Sequence, residues 1–240
     1  MQSLPLHLVF ESLAYAAGFA LYSRARKRAG DFLPDSSRSS VIVAAILGAA
    51  AGSKILGWLE DPAELARHWN DWQFLLGGKT IVGGLLGGTM AVEWIKGRLG
   101  IRRRTGDLFA IPMTLAIAIG RVGCFLAGLS DHTFGIATNL PWGVDFGDGI
   151  KRHPTQLYEM LFLLALAVAL HRMARQPHRE GALYRTFLWS YLGFRLCIDF
   201  LKPDPAFAGL SVIQWACLAA ICWYAREVIH GRPRPAVPVL

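Results

Sequence analysis

Charged residues are scarce in this sequence. Asp, Glu, Lys and Arg make up 18% of the 240 residues, whereas about 25% is usual in globular domains. Apolar residues reach 53%, and the mean hydropathy is +0.35. Such a composition disfavours a soluble enzyme and excludes intrinsic disorder, which requires low hydrophobicity. It favours a membrane protein.

Cysteine is also scarce, and there is no C-x-x-C motif. The cysteines fall inside apolar segments, so we expect small buried hydrophobic residues and not disulfides or a metal site. The seven histidines are scattered along the chain without metal-ligand spacing, so no metal or cofactor is predicted. The cysteines are Cys124, Cys197, Cys217 and Cys222.

The sequence also lacks the pattern of a nucleic-acid-binding surface and that of a cleaved signal peptide. The net charge is +8, but the basic residues lie between apolar segments and form no stripe interleaved with aromatic residues. We therefore expect no nucleic-acid partner. The N-terminus has neither a basic region nor a small-residue cleavage site, so no cleaved signal peptide is expected.

Seven apolar runs are present, and several approach the roughly 20 residues that a helix needs to cross the hydrocarbon core. The 25 glycines and eight tryptophans fit a bundle of membrane helices. We predict an all-α, polytopic membrane protein whose residues 1–240 form one transmembrane domain. The predicted spans are residues 6–23, 39–59, 80–95, 107–127, 155–172, 182–201 and 211–229.

The loops alternate in positive charge. The first, third and fifth loops and the C-terminal end carry 16 Lys and Arg residues, whereas the other three loops carry five. Because cytoplasmic segments are enriched in positive charge, we predict an outward N-terminus and a cytoplasmic C-terminus at Leu240. The polar segment 128–154 then faces outward. Long loops frequently carry function, so part of the site is expected there.

Two arginines lie within apolar runs, where a charged side chain is costly. Arg121 follows L-A-I-A-I-G, and Arg195 shares one helical stripe with Tyr191 and Asp199 at intervals of four residues. One interpretation is a structural Arg195–Asp199 pair. We favour a clamp for a lipid phosphate, because guanidinium stays charged and binds phosphate oxygens through two parallel hydrogen bonds.

Two further motifs supply candidate ligands. H-P-T-Q-L-Y-E at 153–159 opens the fifth span, and Gln156 and Glu159 share one face of the predicted helix. A polar helix cap is the alternative interpretation. G-G-L-L-G-G at 83–88 contains two G-x-x-x-G pairs, for which close helix packing is sufficient. The bare backbone at Gly83 and Gly84 can also approach a ligand.

These motifs resemble those of the bacterial prolipoprotein diacylglyceryl transferase family. The resemblance runs from about residue 6 to 229 and is most specific at G-R-V-G-C-F, H-P-T-Q-L-Y-E-M and the last stripe with Lys202-Pro203. It implies a seven-span enzyme of the bacterial cytoplasmic (inner) membrane. That enzyme moves a diacylglyceryl group from phosphatidylglycerol to the lipobox cysteine of a preprolipoprotein signal peptide and releases glycerol 1-phosphate.

The chain departs from the family pattern at four places. Val82 stands where the family has His or Tyr, and Cys124 stands where it has Asn. Glu11 replaces a first-span Tyr, and the acidic residue expected after the arginine motif is displaced to Asp131. The departures leave two alternatives open. One is a related phospholipid-dependent transferase with another acceptor, and the other is a non-catalytic lipid-binding or transport protein.

Val82 cannot accept the proton of an acceptor thiol, so the base has to come from elsewhere. His153 and His132 are the preferred candidates for this base, because imidazole is the usual base near neutral pH. Glu11 is a less favoured candidate. A helix-capping role for His153 is the alternative. The predicted catalytic residues are Arg121, Arg195 and His153. The predicted substrate-binding residues are Gly83, Gly84, Gln156, Tyr158, Glu159, Tyr191, Asp199, Glu11 and Cys124.

Overall fold

The structure, a computed structural model, describes residues 4–30, 33–203, 206–230 and 236–237. Leu240, for which we predict a cytoplasmic position, lies outside these residues. The described chain is all-α apart from strands of two residues each. Its helices are α1 Leu4–Ala29, α2 Asp35–Glu60, α3 Pro62–His68, α4 Trp72–Leu76, α5 Ile81–Arg98, α6 Asp107–Ala127, α7 Thr155–Ala174, α8 Ala182–Ile198 and α9 Val212–His230.

Each predicted apolar run coincides with one of the longer helices. By length and composition α2 and α7 can cross a membrane, as can α6 together with the 3-10 turn Gly128–Asp131 that continues it. Shorter apolar stretches include Val212–Arg226 of α9. The prediction of an all-α polytopic membrane protein is confirmed. The number of spans and their orientation stay predictions.

The chain divides into two compact units. The first unit comprises Met1–Gly30, Arg104–Pro203 and Pro233–Leu240, and the second comprises Asp31–Arg103 and Asp204–Arg232. In the first unit α6 packs against α1, α7 and α8. In the second unit α2 packs along α5, and α9 contacts both.

Glycines bring α2 and α5 into close contact in the second unit. A Cβ added at Gly87 would lie 2.8 Å from the Cα of Gly52, and one added at Gly83 would lie 2.8 Å from the Cβ of Leu56. Neither position accepts a side chain unless the helices separate. The close packing expected for the G-x-x-x-G motif is therefore confirmed for the Gly83 and Gly87 pair. Thr80 precedes α5 and caps it, because its hydroxyl accepts a hydrogen bond from the backbone N–H of Gly83.

Asp107, the first residue of α6, ties this helix to the start of α8. Its carboxylate accepts hydrogen bonds from the backbone N–H groups of Gly181 and Tyr184, at 2.7 and 2.9 Å. Free N–H groups at a helix start need such an acceptor, and here it comes from another helix. Along α8 the buried residues recur every three to four positions. This spacing turns the side of α8 that carries Tyr191 and Arg195 toward the interior of the unit.

The segment 128–154 contains a short hairpin of β1 Val144–Asp145 and β2 Lys151–Arg152. The Asp145 carboxylate closes its turn by accepting three backbone hydrogen bonds. The hydrogen bond from Arg152 lowers the pKa of the Asp148 carboxyl group. The other strands are β3 His178–Arg179, which pairs with β6 Ala236–Val237, and β4 Ala206–Phe207, which pairs with β5 Leu210–Ser211.

The prediction that all four cysteines are buried is wrong. Cys217 is buried and Cys124 is half-buried, but Cys197 and Cys222 are exposed. In a membrane bundle a small apolar side chain gains little by facing the interior, because lipid tails are as apolar as the helix interface. An apolar sequence context therefore does not reveal which side of a membrane helix a cysteine occupies. All four cysteines are free thiols.

Candidate active site

A buried charged cluster joins α6, α7 and α8. Glu159 of α7 lies at its centre, with Oε2 3.0 Å from Nε of Arg121 and 3.9 Å from Nη1 of Arg195. No side chain of the three is more than 6% exposed. The two arginines, which lie far apart in the sequence, therefore meet at one carboxylate.

Tyr191 and Asp199, the other two residues of the predicted stripe, also belong to this cluster. The Tyr191 hydroxyl donates to Oε1 of Glu159 at 2.6 Å. Nη2 of Arg195 donates to Oδ1 of Asp199 at 2.7 Å. The structural Arg195–Asp199 pair is thus formed, and the phosphate clamp stays a prediction.

Lys202 belongs to the cluster although its place in the sequence predicted no role for it. Its Nζ lies 3.6 Å from Oδ1 of Asp199. Burial and then the nearby positive charge of Arg195 lower the pKa of Lys202. The only sequence signal was its place directly after the Tyr191, Arg195 and Asp199 stripe.

Several polar atoms buried in this region lack a hydrogen-bond partner among the described residues. They include both polar atoms of the Gln156 amide, Nε of Arg195 and Oδ2 of Asp199. Gln156 is 1% exposed and shares its face of α7 with Glu159. Buried polar groups in native proteins nearly always have a partner. These atoms therefore favour a polar ligand at the cluster.

His153 and Tyr158 meet at the start of α7. The Tyr158 hydroxyl accepts a hydrogen bond from Nε1 of Trp142 at 2.8 Å and lies 3.2 Å from Nδ1 of His153. The imidazole thus bonds to a side chain, which disfavours the helix-capping interpretation. Among the described residues no hydrogen bond or ion pair joins His153 to either arginine, and its role as a base stays a prediction. His132, the other candidate, is exposed.

A second polar cluster surrounds His7, a residue for which the sequence predicted no role. Nδ1 of His7 lies 3.3 Å from Oδ1 of Asp131, and Nε2 lies 3.9 Å from Oε2 of Glu11. Cys124 completes the cluster, and its Sγ lies 3.6 Å from Nη1 of Arg121. By the resemblance drawn from the sequence, Glu11, Cys124 and Asp131 are three of the four expected departures from the family pattern. Because the histidines are scattered along the sequence, their spacing did not indicate that His7 lies beside all three of these residues.

The predicted ligands Gly83 and Gly84 lie in the second unit. Gly83 packs directly against α2, which leaves no space for a side chain at this position. A Cβ at Gly84 would meet only ordinary neighbours, the nearest 3.6 Å away. Their role in substrate binding stays a prediction. Val82, next to them, is completely buried.

Comparison with known proteins gives a consistent result. The profile of the family described as "Prolipoprotein diacylglyceryl transferase" matches residues 5–228. A relative from Cupriavidus pinatubonensis is 32% identical over 265 aligned positions, which cover 96% of this chain and 92% of the relative. A relative from Bordetella bronchiseptica is 30% identical, with 90% and 88% covered. Both are named phosphatidylglycerol–prolipoprotein diacylglyceryl transferase. The chain therefore belongs to the prolipoprotein diacylglyceryl transferase family.

Proposed function

We propose that this protein transfers the diacylglyceryl group of phosphatidylglycerol to the lipobox cysteine of a prolipoprotein signal peptide, at the outer face of the bacterial cytoplasmic membrane. Its family is one of transferases, and the names of its relatives state both substrates. The observation that carries the proposal is the buried meeting of Arg121 and Arg195 at Glu159.

The charges of this cluster favour an anionic ligand. Arg121, Arg195 and Lys202 are cationic, whereas only Glu159 and Asp199 are anionic, so one positive charge is in excess when all five are ionised. Burial, and after it the positive charge of Arg195, lowers the pKa of Lys202. A phosphodiester carries one negative charge and would offset the excess positive charge. The proposed ligand is the phosphate of phosphatidylglycerol.

The contacts leave donors available for that phosphate. Arg195 uses Nη2 for Asp199, while its Nε has no hydrogen-bond partner among the described residues. The Gln156 amide nitrogen is a second such donor. Glu159 and Asp199 hold the guanidinium groups in place, and Tyr191 holds Glu159 through its hydroxyl. Fixed, desolvated donors bind an oxyanion without reorganising.

The proposed reaction makes use of this placement. The sulfur of the acceptor thiol attacks the glyceryl carbon that carries the phosphate, so a C–S bond forms and a C–O bond breaks. The bonding electrons leave with glycerol 1-phosphate, which takes up the thiol proton. Arg121 and Arg195 stabilise the charge that grows on the leaving phosphate. The nucleophile belongs to the substrate, so no catalytic cysteine is required.

A direct assay uses the purified protein in nanodiscs with phosphatidylglycerol labelled in its glyceryl and acyl portions. A lipobox peptide serves as acceptor, and a peptide with Ser in place of its cysteine serves as control. We expect a thioether-linked peptide and an equal amount of glycerol 1-phosphate, with no product from the control peptide.

The other outcomes separate the alternatives. Release of glycerol 1-phosphate without labelling of the peptide would replace the acceptor and keep a lipid transferase. Retention of phosphatidylglycerol without any turnover would contradict the enzymatic proposal and favour a lipid-binding protein. An Arg185→Lys variant is the matched control for handling, because Arg185 is an exposed arginine of α8.

A further inference from the structure

The cluster around His7 combines three kinds of metal-binding side chain. His7 comes from α1, Cys124 from the end of α6 and Asp131 from the 3-10 turn that follows. One ligand atom from each lies within 4.8 Å of the other two, and all three residues are half-buried. We propose that His7, Cys124 and Asp131 bind a thiophilic divalent cation, with Zn²⁺ as the best match.

The donor set decides which ion fits. Nitrogen, sulfur and oxygen from His, Cys and Asp are the usual ligands of Zn²⁺. Mg²⁺ and Ca²⁺ prefer sites made of oxygen alone, so the Cys124 sulfur disfavours both. Partial exposure of all three residues gives the ion a path into the site.

The surroundings of the cluster orient these ligands. Binding of the ion at Nδ1 of His7 leaves Nε2 facing Glu11, 3.9 Å away. Metal-bound histidines usually direct their second ring nitrogen at a carboxylate, a backbone carbonyl or a water molecule. Glu11 in turn accepts a hydrogen bond from the Tyr15 hydroxyl at 3.1 Å. The Thr133 hydroxyl donates to Oδ2 of Asp131, which leaves Oδ1 directed at His7.

Three protein ligands leave one tetrahedral position open, as in catalytic zinc sites. Resting on the proposed function, we assign that position to the acceptor thiol, because a coordinated thiol is deprotonated. The thiol proton is released to water on binding, and the sulfur then forms the C–S bond. The C–O bond breaks, and glycerol 1-phosphate takes up a proton from water. Since Cys124 contacts Arg121, the thiolate would lie beside the proposed phosphate site.

The test measures metal binding directly. The full-length protein, carrying an affinity tag without histidine, is stripped with a chelator and titrated with Zn²⁺ against a chromophoric competitor. We expect about one Zn²⁺ per chain. The Cys124→Ser variant should bind Zn²⁺ at least about tenfold more weakly, and Glu11→Gln should weaken binding about 10- to 100-fold. The Co²⁺-loaded protein should show a thiolate-to-metal absorption band that Cys124→Ser lacks.

Matched controls are Cys222→Ser and His171→Gln, which alter an exposed cysteine and an exposed histidine and should leave Zn²⁺ affinity unchanged. Asp131→Asn is a second ligand variant should Cys124→Ser fail to give monodisperse protein. The site is overturned if the wild-type protein binds no stoichiometric Zn²⁺, or if the ligand variants bind it as tightly as the controls do.

Transfer assays separate this inference from the proposed function. Full transfer activity in the metal-free protein would overturn coordination of the acceptor thiol and leave the proposed function intact. A Zn²⁺-loaded protein that transfers nothing would overturn the proposed function, while the metal site would stand on its binding data. Activity that is lost on chelation and restored by Zn²⁺ supports both.

Discussion

The two units join their helices by opposite means. In the second unit, α2 and α5 approach until the backbones of Gly52 and Gly87 touch. In the first unit, α6, α7 and α8 meet at ionised side chains around Glu159. Lipid provides little hydrophobic force between helices, so both contacts depend on specific groups. The glycine contact needs no further partner, whereas the ionic contact leaves buried polar atoms without a hydrogen-bond partner in the part of the chain that the structure describes.

Helix packing alone explains the glycine contact, whereas the ionic contact indicates a functional site. A contact built from backbone and methyl groups satisfies itself, so a G-x-x-x-G motif alone says little about ligand binding. Burying a charged side chain in a membrane costs free energy, and such residues mostly mark functional sites. Variants that damage each region separately test that distinction.

The largest effect is expected for Gly87→Leu. The new side chain collides with the backbone of Gly52, an obstacle that cannot rotate away. The loss of stability should exceed the roughly 1–3 kcal/mol typical of overpacked cores. Yield of monodisperse protein and the thermal unfolding midpoint provide the measurement. Gly97→Leu is the control, because a Cβ at Gly97 of the same helix meets nothing within 4 Å. Equal damage from both variants would contradict the close α2–α5 contact.

Arg121→Lys and Arg195→Lys should instead spare folding and damage turnover. Lysine keeps the charge but loses the planar fork that holds two phosphate oxygens. Losing a desolvated charged contact is typically worth about 2–5 kcal/mol, so transfer per folded molecule should fall steeply. Arg185→Lys should behave as the wild type. Near-normal turnover in both buried variants would refute the clamp.

The sequence predicted contacts within one helix better than contacts between helices. The Arg195–Asp199 pair followed from a spacing that helix geometry fixes. The meeting of Arg121 with Glu159 could not be predicted, because the positions of two helices around a common axis depend on the packing of the whole unit. The His7 cluster stayed hidden for the same reason, since its members come from separate segments.

A smaller effect is expected for Lys202→Met, which removes the excess positive charge of the cluster. A hydrogen bond to a charged group is worth about 1.5–3 kcal/mol, so the KM for phosphatidylglycerol should rise while folding is retained. The pKa of Lys202 is lowered, so raising the pH removes its charge earlier than for an ordinary lysine. The wild-type KM should therefore rise at alkaline pH, and this rise should be absent in Lys202→Met. Lys151→Met, at an exposed lysine, is the control. A KM unaffected by Lys202→Met would contradict the charge argument.

The smallest effect is expected for Asp148→Asn in the β1–β2 hairpin. Its pairing with Arg152 is exposed, and exposed pairs contribute little. Because the pKa of Asp148 is lowered in the folded protein, whatever the pair contributes is present above the ordinary carboxyl pKa and is lost as the pH falls through the lowered value. At neutral pH the unfolding midpoint and the turnover should match the wild type. A marked loss of turnover would give the hairpin a role that its contacts do not indicate.

Lipid retention tests most directly whether Arg121 and Arg195 hold the phosphate of an anionic lipid. The protein is taken from nanodiscs of mixed phosphatidylglycerol and phosphatidylcholine, and its bound lipids are quantified by native mass spectrometry. We predict enrichment of phosphatidylglycerol in the wild type and in Arg185→Lys, and loss of that enrichment in the double variant Arg121→Lys, Arg195→Lys. Equal enrichment in all three proteins would contradict this role of the two arginines.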